Sequence, residues 1–72
     1  MIELNGNTAK ITIADSTVVT LLVFKDKKFY QELPIPSNQD YGTLSNLPKG
    51  EYVVLHYDIG ITEKLKETFT IV

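Results

Sequence analysis

His56 is the only histidine in the chain and the side chain best suited to proton transfer near neutral pH. Asp58 follows two residues later, and residues i and i+2 of a strand point to the same side. A general acid or base also needs a pocket for its substrate, and no neighbouring motif predicts one. We therefore interpret His56 as a neutral, hydrogen-bonded side chain near the end of a strand. We assign no catalytic residue.

The serines give no stronger indication of chemistry. Ser16, Ser37 and Ser45 lie in or near predicted turns, where a hydroxyl ordinarily bonds the local backbone. The chain has no Gly-x-Ser-x-Gly motif, and it has no cysteine that could supply a thiolate. These observations favour a protein that is not an enzyme.

Metal-ligating residues are sparse as well. A zinc site built from one histidine and no cysteine would need several carboxylates. Calcium takes six or more oxygen ligands, and four aspartates fall in predicted loops: Asp15, Asp26, Asp40 and Asp58. No Asp-x-Asp spacing occurs among them, and aspartate is common in turns for local reasons. We predict no metal site and no cofactor.

Charge and hydropathy exclude two further classes of function. The net charge is −2, and all seven basic residues are lysines, so neither a basic field nor an arginine fork is present to recognise nucleic acid. The longest apolar run, Leu21–Phe24, is too short to cross a bilayer. The N-terminus lacks the features of a signal peptide. We expect a complete, soluble chain that starts at Met1 and resides in a virion or the cytoplasm.

The elements that would position these residues read as short strands. Asn5-Gly6 is a strong hairpin signal. Lys25–Lys28 reads as a charged turn, and the Pro34–Asp40 segment reads as a loop that crosses between two sheets. The predicted strands between these turns are rich in β-branched and aromatic residues: Ile2–Leu4, Ala9–Ala14, Thr17–Phe24, Phe29–Leu33, Tyr41–Ser45, Tyr52–Tyr57 and Leu65–Val72.

Seven strands at regular spacing with no helix predict an all-β fold. We expect a seven-stranded antiparallel Greek-key sandwich, built as a single domain over residues 1–72. Within it, Phe29 and Leu33 are predicted to share a face. The strands Thr17–Phe24 and Tyr52–Tyr57 are predicted to be neighbours in one sheet.

Both of these neighbouring strands are apolar on two faces. We predict that Val19, Leu21, Val23, Tyr52 and Val54 point into the core, with His56 near the rim. The opposite face would then carry six apolar side chains that are candidates for binding a partner: Val18, Leu22, Phe24, Val53, Leu55 and Tyr57. An apolar stripe of this kind usually marks an interface. The alternative is that the Pro34–Asp40 loop folds over this face and covers it.

Three segments resemble known modules. They are Val19-x-Leu21-x-Val23-Phe24-x-Asp26, Leu44-x-x-Leu47-x-x-Gly50-x-Tyr52-x-Val54 and Thr68-Phe69-x-Ile71. Together they are similar to the small immunoglobulin-like or prealbumin-like sandwich modules of bacteria and phages, among them the C-terminal sorting domains of secreted Bacteroidetes proteins. This chain lacks the Tyr-Pro-Asn-Pro-like start and the basic end of those sorting domains.

The resemblance implies a structural or interaction role. A small virion or surface-decoration protein that associates with other proteins, or with itself, fits best. The alternative is a sorting or accessory domain of a bacterial secretion or surface system.

Overall fold

A computed structural model describes all residues, 1–72. The chain forms seven β-strands and no helix: β1 (Ile2–Asn5), β2 (Thr8–Thr12), β3 (Val18–Lys25), β4 (Lys28–Pro34), β5 (Tyr41–Leu44), β6 (Gly50–Asp58) and β7 (Glu63–Ile71). The predicted all-β class and the number of strands are thus confirmed.

The strands make two antiparallel sheets. The small sheet has the order β1-β2-β5, and the large sheet has the order β4-β3-β6-β7. β3 and β6 are neighbours in the large sheet, as predicted, and they pair over most of their length. The Pro34–Asp40 segment leads from β4 in the large sheet to β5 in the small one, which confirms the predicted crossing.

Tight turns set the register of two hairpins. Gly6 and Asn7 connect β1 to β2, and Gly6 takes a φ of 62°. The turn is therefore one residue later than the Asn5-Gly6 pair suggested. Asp26 and Lys27 connect β3 to β4, and both have positive φ, at 51° and 69°. That pattern matches the twist of a two-residue hairpin.

The core lies between the two sheets. Twelve buried apolar residues form one cluster: Ala9, Ile11, Val18, Leu21, Val23, Ile35, Leu44, Leu47, Tyr52, Val54, Phe69 and Ile71. Tyr52 is central to this cluster. Its ring stacks on Phe69 at a centroid distance of 4.9 Å, and its hydroxyl donates to the Pro48 carbonyl oxygen at 2.5 Å. This bond ties the turn before β6 to the core.

A bulge in β3 corrects the predicted inward and outward assignment of two valines. The register of β3 against β6 shifts between Val18 and Thr20. As a result Val18 is buried and belongs to the core, whereas Val19 is 40% exposed. The sequence prediction had these two residues reversed, because the extra residue changes the phase of the alternation.

A second bulge corrects the prediction for β4. Here the register against β3 shifts between Val23 and Phe24. Phe29 pairs with the outward residue Phe24 and is 60% exposed. Leu33 pairs with Leu21 and packs against the core. The prediction that Phe29 and Leu33 share a face was therefore wrong.

Candidate functional site

The outer face of the large sheet carries a contiguous apolar surface. We define the outer face by six side chains: Leu22, Phe24, Phe29, Val53, Leu55 and Tyr57. Five of them were among the predicted partner-binding residues. Val18 was also predicted there but is in the core, and Phe29 was missed because the bulge in β4 could not be foreseen.

The strand register places these side chains next to one another. Leu22 lies directly opposite Leu55, and Phe24 lies directly opposite Val53. Phe24 also meets the Phe29 ring edge to face, at 5.8 Å and 80°. Neighbouring side chains leave most of the six only partly exposed, so they form one patch and not isolated surface residues.

The Pro34–Asp40 loop does not cover the outer face. Ile35 is buried in the core, and its amide donates to the Val19 carbonyl oxygen at 2.9 Å. At the other end of the loop, the Asp40 carbonyl oxygen accepts from the Ile13 amide, also at 2.9 Å. These bonds tie the loop to the edge between the two sheets and not to the outer face.

Charged residues border the outer face on both sides. Glu32 on β4 is opposite Leu22, and Lys66 on β7 is opposite Leu55. The residues Glu32, Leu22, Leu55 and Lys66 therefore form one row across all four strands, with opposite charges at its two ends. The Glu32 carboxylate also accepts a hydrogen bond from the Thr20 hydroxyl at 3.0 Å.

His56 lies on the opposite, inner face of β6. It was expected near the rim, but its side chain is fully buried. Its Nε2 lies 2.9 Å from Glu67 Oε1, and its Nδ1 accepts from the Ala14 amide at 3.2 Å. Because Nδ1 is an acceptor, the ring is neutral and Nε2 donates to Glu67. The imidazole thus links β6, β7 and the segment after β2.

Burial lowers the pKa of His56 below its ordinary value, and this effect outweighs the hydrogen bond that His56 donates to Glu67, which acts in the opposite direction. The ring is neutral and bonded, as the sequence suggested, but its partner is Glu67 and not Asp58. Asp58 instead accepts from the Thr62 amide at 2.9 Å and caps the turn between β6 and β7. Sequence could have pointed to Glu67, which interrupts the inward apolar phase of β7 formed by Leu65, Phe69 and Ile71.

The Glu67 carboxylate has a second partner. Its Oε2 lies 3.1 Å from the amino group of Met1, which also donates to the Thr12 carbonyl oxygen at 3.2 Å. This arrangement joins β7 of the large sheet to the end of β2 in the small sheet through the amino group of Met1. Every buried side-chain nitrogen and oxygen in the chain has a hydrogen-bond partner.

Like Asp58, two more of the four loop aspartates accept hydrogen bonds from neighbouring groups of the chain. Asp15 accepts from the Thr17 amide at 2.8 Å and from the Thr17 hydroxyl, and these bonds lower the pKa of Asp15. Asp26 binds Lys25 Nζ at 2.8 Å and the Glu51 amide at 3.0 Å, which likewise lowers its pKa. No group of three or more histidine, aspartate or glutamate side chains is placed to hold a metal ion.

Two depressions mark the surface. One groove of about 450 Å³ lies beside the Pro34–Asp40 loop, with Asp15, Ser37 and Asp40 among its lining residues. A smaller one of about 260 Å³ lies where the outer face ends, beside Asp26 and Val53. His56 lines neither of them.

The chain contains no helix of the length and apolarity required to cross a membrane. No family model, no curated protein and no solved structure matches this sequence. The resemblance to small bacterial and phage sandwich modules, and the virion or sorting role that it implies, therefore remain predictions.

Proposed function

We propose that this protein is a non-enzymatic interaction module that binds another protein through the outer face of its large sheet. The observation that carries the proposal is the presence of two neighbouring apolar pairs on the outer face, Leu22 opposite Leu55 and Phe24 opposite Val53. A sheet in a small sandwich normally keeps one wet face. Here the face that should be wet is apolar in its centre, and apolar patches of this kind mark interaction sites.

We also propose that the sandwich is of the Greek-key, immunoglobulin-like type. The strand order β1-β2-β5 against β4-β3-β6-β7 supports this assignment. So does the hydroxyl of Tyr52, which lies near the start of β6 and bonds back to the Pro48 carbonyl oxygen. A tyrosine that closes a corner in this way is a feature of such sandwiches. Their exposed sheet faces commonly serve in binding, although fold alone does not determine function.

The arrangement of His56 supports a structural role for the one histidine. Both ring nitrogens are occupied by groups of the chain, and the side chain is fully buried. A general acid or base must reach a substrate proton within hydrogen-bond distance, and His56 reaches only Ala14 and Glu67. The hydrogen bonds of His56 instead connect three segments of the core.

The proposal is tested by photo-crosslinking in cells of the source organism. A photoreactive residue at Leu55 is expected to form adducts with a protein partner. The same residue at Thr43, which is exposed on β5 of the small sheet, serves as the matched control and is expected to form none. Adding Leu22→Glu should abolish the adducts formed from Leu55, because it places a charge beside the crosslinking position.

Two results would contradict the proposal. One is an equal adduct yield from positions 55 and 43. The other is a yield from position 55 that Leu22→Glu leaves unchanged while unfolding curves show that the variant is folded. With the photoreactive residue moved to position 22, which lies opposite Leu55, Leu55→Lys should abolish the adducts in the same way.

A further inference from the structure

We infer that a second copy of this chain binds the outer face, with a twofold axis that lies between the large sheets of the two copies and runs parallel to β3 and β6. The inference rests on the proposed function and specifies the partner. It is carried by the row Glu32, Leu22, Leu55 and Lys66, in which two apolar residues stand between opposite charges.

This row is complementary to itself. Rotation about an axis parallel to the strands places β4 of one copy over β7 of the other, and β3 over β6. Glu32 then faces Lys66 of the second copy, Leu22 faces its Leu55, and the same contacts repeat in reverse. An interface related by a twofold axis must be self-complementary in this sense.

The neighbouring row fits the same operation. It contains Phe29, Phe24, Val53 and Thr68, in that order across the sheet. The rotation places Phe24 over Val53 of the second copy and Phe29 over its Thr68. Apolar side chains therefore meet apolar or methyl-bearing ones in the centre of the first row and at every position of this neighbouring row.

The charges distinguish this axis from the other twofold axis in the plane of the sheet. An axis perpendicular to the strands would place each strand over itself. Glu32 would then approach Glu32 of the second copy, and Lys66 would approach Lys66. Like charges placed opposite each other disfavour that arrangement.

The area of the outer face limits the expected affinity of self-association. Four strands about 4.8 Å apart and roughly seven residues long offer on the order of 450 Å² per copy. That value lies at the low end for specific interfaces. We therefore expect weak, reversible dimers, detectable by sedimentation equilibrium at concentrations from about 10 μM to 1 mM.

The test exchanges the two charges. Glu32→Lys and Lys66→Glu are each expected to weaken self-association about tenfold, because each reverses the sign of two contacts in the dimer. The double variant Glu32→Lys with Lys66→Glu should regain the affinity of the unmodified protein. An equimolar mixture of the two single variants should regain it too, since their heterodimer pairs opposite charges at both ends.

Glu32 and Lys66 of one copy lie at opposite edges of the large sheet, roughly 14 Å apart at the usual strand spacing. That separation exceeds the screening length of about 8 Å at physiological ionic strength. Rescue in the double variant cannot therefore arise from attraction between the two charges of one chain. At about 1 M salt the differences among the variants should disappear, because screening then acts over about 3 Å.

Three outcomes would overturn the inference. One is a protein that stays monomeric at 1 mM, and a second is a dimer that neither single variant weakens. The third is a mixture of single variants that binds more tightly than the unmodified protein, which would indicate the perpendicular axis. The proposed function would survive any of them if position 55 still formed adducts with another protein and position 43 did not.

Discussion

The two faces of the large sheet have similar compositions but different surroundings. On β6, Tyr52 and Val54 point inward and are fully buried, whereas Val53, Leu55 and Tyr57 point outward and are only partly covered. The inner residues are apolar because the small sheet packs on them. The outer residues have no such neighbour in the chain. This difference separates what the fold requires from what a partner would require.

The largest expected difference in stability is between variants of two adjacent leucines of β3. Leu21 is fully buried, and Leu22 lies on the outer face. Leu21→Ala should lower the free energy of unfolding by about 3 kcal/mol, since it leaves a cavity. Leu22→Ala should lower it by about 1 kcal/mol or less. Urea unfolding of both variants at 25 °C and low protein concentration measures the difference.

Equal losses of unfolding free energy for the two alanine variants would show that the outer face is as tightly packed as the core. A loss of unfolding free energy for Leu22→Ala that grows with protein concentration would instead indicate association through the outer face. Association that stabilises only the folded state raises apparent stability by mass action, so a concentration-dependent loss would identify Leu22 as an interface residue.

The second effect concerns His56, the buried side chain of the inner face whose type titrates near neutral pH. His56→Gln should cost about 2 kcal/mol at pH 7.5, because a fully buried, doubly bonded ring is replaced by a smaller side chain. Leu55→Gln removes a neighbouring side chain of the outer face and serves as the control, with an expected cost of about 1 kcal/mol or less. Urea unfolding measures both.

The pH dependence of stability adds a second readout for His56. Its pKa in the folded protein is lowered by burial. On lowering the pH through 6.5, the unfolded chain therefore takes up a proton before the folded protein does, and stability falls. Unfolding free energies between pH 7.5 and 5.5 should decline for the unmodified protein and remain nearly flat for His56→Gln. A parallel decline in both would show that His56 is not the group responsible.

The third effect contrasts two tyrosines of β6. The Tyr52 hydroxyl donates to the Pro48 carbonyl oxygen, whereas Tyr57 lies on the outer face. Tyr52→Phe should lower the free energy of unfolding by about 1 kcal/mol through loss of that bond. Tyr57→Phe should change it by no more than about 0.5 kcal/mol. Thermal unfolding of the two variants makes the comparison, and similar shifts in Tm would contradict a corner role for Tyr52.

Much of this contrast was predictable from the sequence. Alternation along Tyr52–Tyr57 identified which residues of β6 point inward, since the register shift beside His56 and Tyr57 places its extra residue on β7 and not on β6. Turn chemistry at Lys25–Lys28 and the prolines of the Pro34–Asp40 loop located a hairpin and the crossing between sheets. These signals are local, so a single sequence contains them.

The errors have one physical cause. Val18 and Val19 are the same residue type, and nothing in the sequence states which of them is the extra residue of a bulge. A slip of one residue exchanges the two faces, so Val18 was placed outside. A separate bulge in β4 had the same effect on Phe29, which was missed. The partner of His56 was missed for a related reason, because pairing of β6 with β7 is a long-range fact that places Glu67 beside the ring.

The smallest expected effect on stability comes from Val53, an outward residue of β6 whose inward neighbour is Val54. Val53→Thr exchanges one methyl group for a hydroxyl of nearly equal size at an outward position, and threonine suits a strand as well as valine does. The free energy of unfolding should change by no more than about 0.5 kcal/mol. Val54→Thr makes the same exchange on the inner face and should cost about 1–3 kcal/mol, because the buried hydroxyl lacks a partner.

If the outer face binds a second copy, Val53→Thr should weaken self-association in sedimentation equilibrium while leaving the free energy of unfolding unchanged. A variant that loses stability without losing association would show that Val53 serves the fold.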